Sequence, residues 1–316
     1  MGLLINGVWD PNIDSKKFTG KTDAFHNVIT ADGSSGFKAE ANRYHLYVSL
    51  ACPWASRTLI FRKLKKLENT ISLSIVDPLM AEQGWAFSDA PGCIPDTVNH
   101  CHYLHEIYSK AKADYTGRVT VPVLWDKHTQ TIVNNESSEI IRMFNSEFNT
   151  LTGDTADFYP EALRSEIDAI NERVYNHVNL GVYKCGFAIK QSAYNVAFDA
   201  LFAELDALEK RLSQQRYLVG QQITEADWRL FTTLIRFDSV YYVHFKCNWR
   251  RIIDYPNLQN YLRELYQHPG IAETVNFEHI KQHYYLSHKH INPMGIIPNG
   301  PELKLDESHH RDRINL

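Results

Sequence analysis

Apolar and polar positions alternate over residues 44–50, a β-prone run that reads as a strand. The period then changes. Ala55, Leu59, Ile60, Leu64 and Leu67 recur at helical spacing, which predicts a helix opening at Pro53, where a missing N–H is harmless. A second strand is expected over residues 70–76. The segment 77–117 follows, holding Trp85, Pro91, Gly92 and Pro95 with a helix expected over 105–113; connections of this length are uncommon and usually functional. Two more β-prone runs, 119–125 and 130–133, flank Asp126-Lys127-His128-Thr129 as a hairpin, and a short helix is expected over 138–144. The order is βαβ, a connection, then ββα, which describes a thioredoxin-like domain with a mixed sheet.

Beyond Pro160 the period is almost wholly helical. Ile167, Ile170, Val174 and Val178 recur at three and four, as do Phe198, Leu201, Phe202, Leu205, Leu208 and Leu212. Thr224 with Asp227 three positions on is an N-cap opening another helix, and Pro256 opens one over 258–268. The expected organisation is an extended arm over 1–43, with aromatics at Trp9, Phe18, Phe25 and Phe37, then a thioredoxin-like domain over 44–146. A linker over 147–160 and an all-helical domain over 161–316 complete it. The fold class is therefore α/β plus all-α.

Composition narrows the chemistry. At 316 residues and 44% hydrophobic content the chain has ample core for one large or two ordinary domains. A net charge of −4 gives no reason to expect nucleic acid as a partner. No apolar run approaches membrane-spanning length. Five cysteines without regular spacing suit a reducing cytoplasm better than a disulfide framework.

The candidate chemistry sits at Cys52. Strand, cysteine and helix start in succession place the thiol at the positive end of a helix dipole, where free backbone N–H groups stabilise a thiolate. The position is that of a thioredoxin Cys-x-x-Cys, but its partner place holds Ala55. Without a resolving cysteine, Cys52 exchanges with an external thiol.

Val121-Pro122 ahead of a strand matches the Val–cis-Pro of glutathione transferases, and Glu136-Ser137 matches the acidic-Ser pair that holds the γ-glutamyl end of glutathione. Several longer stretches resemble the glutathionyl-hydroquinone reductases, or Xi-class glutathione transferases. They include Ser49-Leu-Ala-Cys-Pro-Trp-Ala-Ser-Arg57, Gly117-Arg-Val-Thr-Val-Pro-Val-Leu-Trp-Asp126 and Asn135-Glu-Ser-Ser-Glu-Ile-Ile-Arg142. Leu180-Gly-Val-Tyr-Lys-Cys-Gly-Phe-Ala188 and Ile291-Asn-Pro-Met-Gly-Ile-Ile-Pro-Asn-Gly-Pro301 extend the match along the chain. The family's usual arginines near Phe18 and after Phe25 are replaced here by Gly20 and His26.

The resemblance implies glutathione as co-substrate, no tightly bound cofactor, a glutathionyl-hydroquinone as the other small-molecule partner, and a homodimer. It implies Cys52 as nucleophile, Tyr183 as the acid/base, and Tyr241 and Tyr284 as hydroxyl donors supporting the thiolate. The residues alone do not rank Tyr241 against Tyr242, or Tyr284 against Tyr285; the resemblance points to Tyr241 and Tyr284. It further implies that Trp85 packs on glutathione, that Arg118, Val119, Thr120, Val121 and Pro122 form the edge that binds the tripeptide, and that Glu136 and Ser137 hold its γ-glutamyl group. Two alternatives share Cys52 or the fold: an omega-like thiol transferase or dehydroascorbate reductase, and a non-catalytic scaffold. His279 and His283 lie four apart, a spacing that seats zinc on a helix, but no cysteine or carboxylate completes a set and no metal is expected.

Overall fold

The computed structural model describes residues 2–13, 20 and 22–314; Phe18 lies outside them. It falls into two compact units, one of Met1–Ala156 with Thr274–Ser287, the other of Asp157–Glu273 with His288–Leu316. Among the described residues no helix is long and apolar enough to cross a membrane.

The first unit begins with a hairpin of β1 (Leu3–Ile5) and β2 (Val8–Asp10). Its main sheet is built on β3 (Tyr44–Val48), every residue of which is buried, as befits a strand covered on both faces. α1 (Pro53–Leu64) leads to β4 (Ser72–Ile75), parallel to β3. After α2 (Leu104–Ala111), β5 (Val123–Asp126) pairs antiparallel with β3, and β6 (Thr131–Asn134) antiparallel with β5. The order β4-β3-β5-β6 is the expected mixed sheet. α3 (Ser137–Ser146) packs against α1, and the short α4 (Asn149–Thr152) follows it.

The strand expected from residue 119 starts only at Val123. Pro122 has no N–H to offer a ladder. The buried Tyr108 hydroxyl also donates to Thr120 O at 2.8 Å and accepts from Thr120 N at 3.3 Å, so that peptide is bound to α2 instead of a strand. The arm lies along the same region. Leu4 and Gly117 exchange two backbone bonds, Asn27 N donates to Val133 O, and Phe25 stacks on Tyr115 at 5.5 Å.

The long connection between β4 and α2 is held in place by buried polar groups. Asp96 accepts from the Tyr47 hydroxyl at 2.9 Å and from the backbone N–H groups of Val98, Asn99 and Cys101. α11 (Phe277–Ser287) explains why a late helix joins the first unit. Its His279 Nε2 donates to Pro91 O at 2.8 Å, its His283 Nδ1 to Pro78 O at 2.9 Å, and Ser287 Oγ accepts from Met80 N. The i, i+4 histidine spacing thus grips two carbonyls of the connection. Gly92 is part of the fit: its φ is +81°, and a Cβ there would stand 2.6 Å from His279 Nε2. The expected helical domain over 161–316 therefore lacks 274–287, which cluster with the first unit.

The second unit is helical: α5 (Arg164–Val174), α6 (Gly181–Gly186), α7 (Gln191–Leu212), α8 (Glu225–Arg236), α9 (Tyr242–His244) and α10 (Pro256–Tyr266). Two π-helical turns interrupt the expected period, at Tyr175–Asn179 before α6 and at Phe237–Tyr241 before α9. Such turns often mark functional stretches, and these lie next to Tyr183 and end at Tyr241.

One buried group in β3 makes stability pH-dependent. Ser74 donates to Pro95 O, so its oxygen accepts from His45 Nε2 at 2.9 Å; in the neutral ring Nδ1 then accepts from Ser72 Oγ at 2.7 Å, a closer acceptor for that hydroxyl than Tyr44 O at 3.5 Å. This network suits the neutral imidazole. Burial pushes its pKa down from 6.5 to about 4. Unfolding therefore takes up a proton between those values: the stabilisation is complete above pH 6.5 and is lost as pH falls through about 4. Urea unfolding across this range is expected to show a loss of about 3 kcal/mol that the His45→Phe variant lacks. Parallel pH profiles for both proteins would contradict it.

Candidate active site

Cys52 occupies the N-cap of α1, with φ −76° and ψ 122° and Pro53 at the first helical position. Its carbonyl accepts from Ser56 N at 2.9 Å, closing the first turn and placing the residue at the N–H end of the helix. The half-buried Sγ lies 3.8 Å from Val121 O. Ala55 is fully buried in α1, so the place a resolving thiol would take is part of the core.

The Val121-Pro122 bond is cis, as the sequence pattern suggests. Along 118–121 the backbone alternates in what it touches. Arg118 O accepts from the Tyr115 hydroxyl at 3.0 Å and Thr120 is clamped by Tyr108, so these two peptides are turned towards the α2 end of the unit. Val119 and Val121 alternate with them, and Val121 O is the carbonyl beside Cys52. Of the expected edge, Thr120 thus holds the segment in place, and Val121 is the residue that meets the thiol.

Glu136 is the N-cap of α3. Its Oε1 accepts from Ser138 N at 3.0 Å, from Ser138 Oγ at 3.0 Å and from Ser137 Oγ at 3.3 Å. These bonds converge on one carboxylate oxygen of an exposed residue, which leaves Oε2 for a cation arriving from solvent. Ser137, the first residue of α3, is buried and also accepts from Arg57 Nη1 at 3.3 Å. Arg57 received no role from the sequence. The signal was there: an arginine between Ala55 and Leu59, on a helix whose other marked positions are apolar. His26, which stands where the family has an arginine, places Nδ1 3.0 Å from both oxygens of Glu139 on α3.

Trp85 is buried, with one face stacked on His283 at 4.8 Å. Tyr284 on α11 is buried in the same unit, and so is Tyr285, whose hydroxyl burial pushes up to about 12. Tyr183 and Tyr241 belong to the helical unit, where their rings are 6.0 Å apart. Tyr241 stacks on Phe245 at 5.4 Å, and Phe245 packs so closely on Gly186 that a Cβ there would meet its ring at 2.2 Å. Tyr241 is fully buried among these rings while Tyr242 is only half-buried. Among the described residues no group of three or more His, Cys, Asp or Glu side chains is placed to hold a metal ion.

The family models for the glutathione S-transferase N-terminal domain and C-terminal domain match residues 51–147 and 187–264. Glutathionyl-hydroquinone reductase YqjG of Escherichia coli is 56% identical over 99% of both chains. The chain belongs to the glutathionyl-hydroquinone reductases, the Xi class of glutathione transferases. A second member of this family, PcpF of Sphingobium chlorophenolicum, is 50% identical over 95% of this chain and 96% of its own. Among solved structures, the glutathione-bound YqjG superposes with a TM-score of 0.93 at 55% identity, covering 99% of each chain. The Xi-class transferase of Natrialba magadii superposes with a TM-score of 0.95 at 47% identity, covering 99% of this chain and 97% of that one. The match to YqjG thus extends over nearly the whole of this chain.

Proposed function

We propose that this enzyme cleaves glutathionyl-hydroquinones to hydroquinone and oxidised glutathione, with glutathione as the thiol donor. The observation that carries the reading is a thiol on the N-cap residue of α1, 3.8 Å from the Val121 carbonyl, in the same unit as an acid-serine cradle at the start of α3. A glutathionyl group held by its γ-glutamyl end on Glu136 and Ser137, with its cysteinyl backbone along Val121, brings its sulfur towards Cys52. Trp85, Arg118, Val119, Thr120 and Pro122 form or support the surrounding walls.

The Cys52 thiolate attacks the glutathione sulfur, the carbon–sulfur bond breaks, and the ring carbon gains a proton. Hydroquinone leaves and Cys52 remains as a mixed disulfide with glutathione. A second glutathione thiolate attacks that disulfide, releasing oxidised glutathione and regenerating the thiolate. Tyr183 is the group assigned to the ring proton, and the hydroxyls of Tyr241 and Tyr284 to support of developing negative charge. The site of action is the cytoplasm and the enzyme acts as a homodimer.

Incubation with glutathionyl-menadiol and glutathione is expected to release free menadiol. The Tyr183→Phe variant should lose about 100-fold in kcat, with the mixed disulfide forming correspondingly more slowly and its resolution by glutathione unchanged. A Schizosaccharomyces pombe relative named glutathione S-transferase omega-like 2 is 49% identical over 84% of this chain, which favours a second reading as a thiol transferase. Reduction of dehydroascorbate with the quinol conjugate left intact would select that reading.

A further inference from the structure

Arg57 is a buried guanidinium one turn beyond the nucleophile, and the reaction as described gives it nothing to do. Its Nη1 reaches the Ser137 hydroxyl at 3.3 Å, and its plane lies over the Trp54 ring, 4.6 Å from the centroid. The first of these contacts bears on the glutathione cradle. A serine hydroxyl has one hydrogen and two lone pairs. A guanidinium only donates and never loses its proton. With Arg57 donating into Ser137 Oγ, the hydroxyl hydrogen must point elsewhere; in this structure it points to Glu136 Oε1 at 3.3 Å. That bond is long, and an incoming carboxylate at the α3 terminus competes for the same hydrogen.

We propose that Arg57 is a positioning residue for glutathione capture, fixing the Ser137 hydroxyl as donor to the γ-glutamyl carboxylate and bracing α3 against the helix that carries Cys52. The Trp54 ring against the guanidinium helps to fix where its donors point. The assignment rests on the proposed glutathione cradle but not on which conjugate is cleaved.

The test is a two-residue cycle read by calorimetric titration of the full chain with glutathione alone. R57Q and S137A are each expected to weaken glutathione binding about tenfold, the loss of one hydrogen bond to a charged group. Because Arg57 acts through Ser137, the double variant should bind within about twofold of S137A. R57Q should also raise the KM for glutathione while leaving kcat at saturating glutathione nearly unchanged. R57K, which keeps a charged donor, should recover part of the loss. Wild-type affinity in R57Q, or losses that multiply to about 100-fold in the double variant, would overturn the proposal. If R57Q does not fold, R57K decides: it must weaken binding in the native background and leave the S137A background unchanged. Failure of the wild type to bind glutathione would instead overturn the proposed function, which this readout separates from the role of Arg57.

Discussion

Replacing Cys52 by alanine is expected to lower release of hydroquinone from a glutathionyl conjugate by about 10³-fold or more, leaving glutathione binding close to native. The asymmetry follows from the geometry. The cradle for the tripeptide is made by Ser137 and Glu136 on α3 and by the 118–122 segment, whose only hydrogen bond from the sulfur among those described is the long one to Val121 O, while Tyr108 and Tyr115 hold the segment in place. Cys52 caps α1 through its backbone carbonyl and not through its sulfur, so removal of the sulfur leaves the helix intact. What is lost is the one group that accepts the glutathionyl sulfur. Cys52→Ser keeps the cap and the shape but offers a hydroxyl of far higher pKa, and should be as inactive as alanine. Parallel measurements of binding and of free hydroquinone check both halves, and activity surviving in either variant would remove covalent transfer from the account.

The second large effect concerns stability. Asp227 at the third position of α8 is fully buried and takes four hydrogen bonds, from Leu218 N at 2.9 Å, Thr224 N at 2.7 Å, Thr224 Oγ1 at 3.0 Å and the Tyr261 hydroxyl at 2.7 Å. It closes the capping box with Thr224, ties the preceding loop to the helix and anchors α10 through Tyr261. Asp227→Ala leaves all four donors buried without this acceptor, a cost of about 4 kcal/mol. Against a total of about 5–15 kcal/mol this is a large fraction, worth a fall in Tm of about 10 °C in the helical unit. Asp227→Asn keeps an acceptor at the same place and should lose roughly half as much. Scanning calorimetry of the three proteins checks the order; a D227A melting curve overlaying the wild type would show the network to be dispensable.

The legibility of the chain followed the reach of each signal. β3, α1 and the β5–β6 hairpin were visible because alternation, a proline at the first helical position and a four-residue polar turn are local. Cys52, Val121-Pro122 and Glu136-Ser137 were visible for the same reason, each a short motif next to an element boundary. The late start of β5 was hidden because the competitor for the Thr120 backbone is Tyr108, twelve residues away on a helix. The affiliation of α11 was hidden because His279 and His283 bond to carbonyls of Pro91 and Pro78 about two hundred residues earlier, and no local pattern records that. The π turns were masked by apolar spacing that continues through Val178 as though the helix were regular. The role of Arg57 was hidden because a charged residue on a buried helix face declares a partner without naming it.

The most direct test is the intact mass of the protein after brief exposure to a glutathionyl-hydroquinone with no free glutathione present, followed by peptide mapping. The mechanism requires one glutathione added per chain, located on the peptide containing Cys52 and removed when glutathione is supplied. Hydroquinone released with no adduct on that peptide, or an adduct carried by another cysteine, would contradict it.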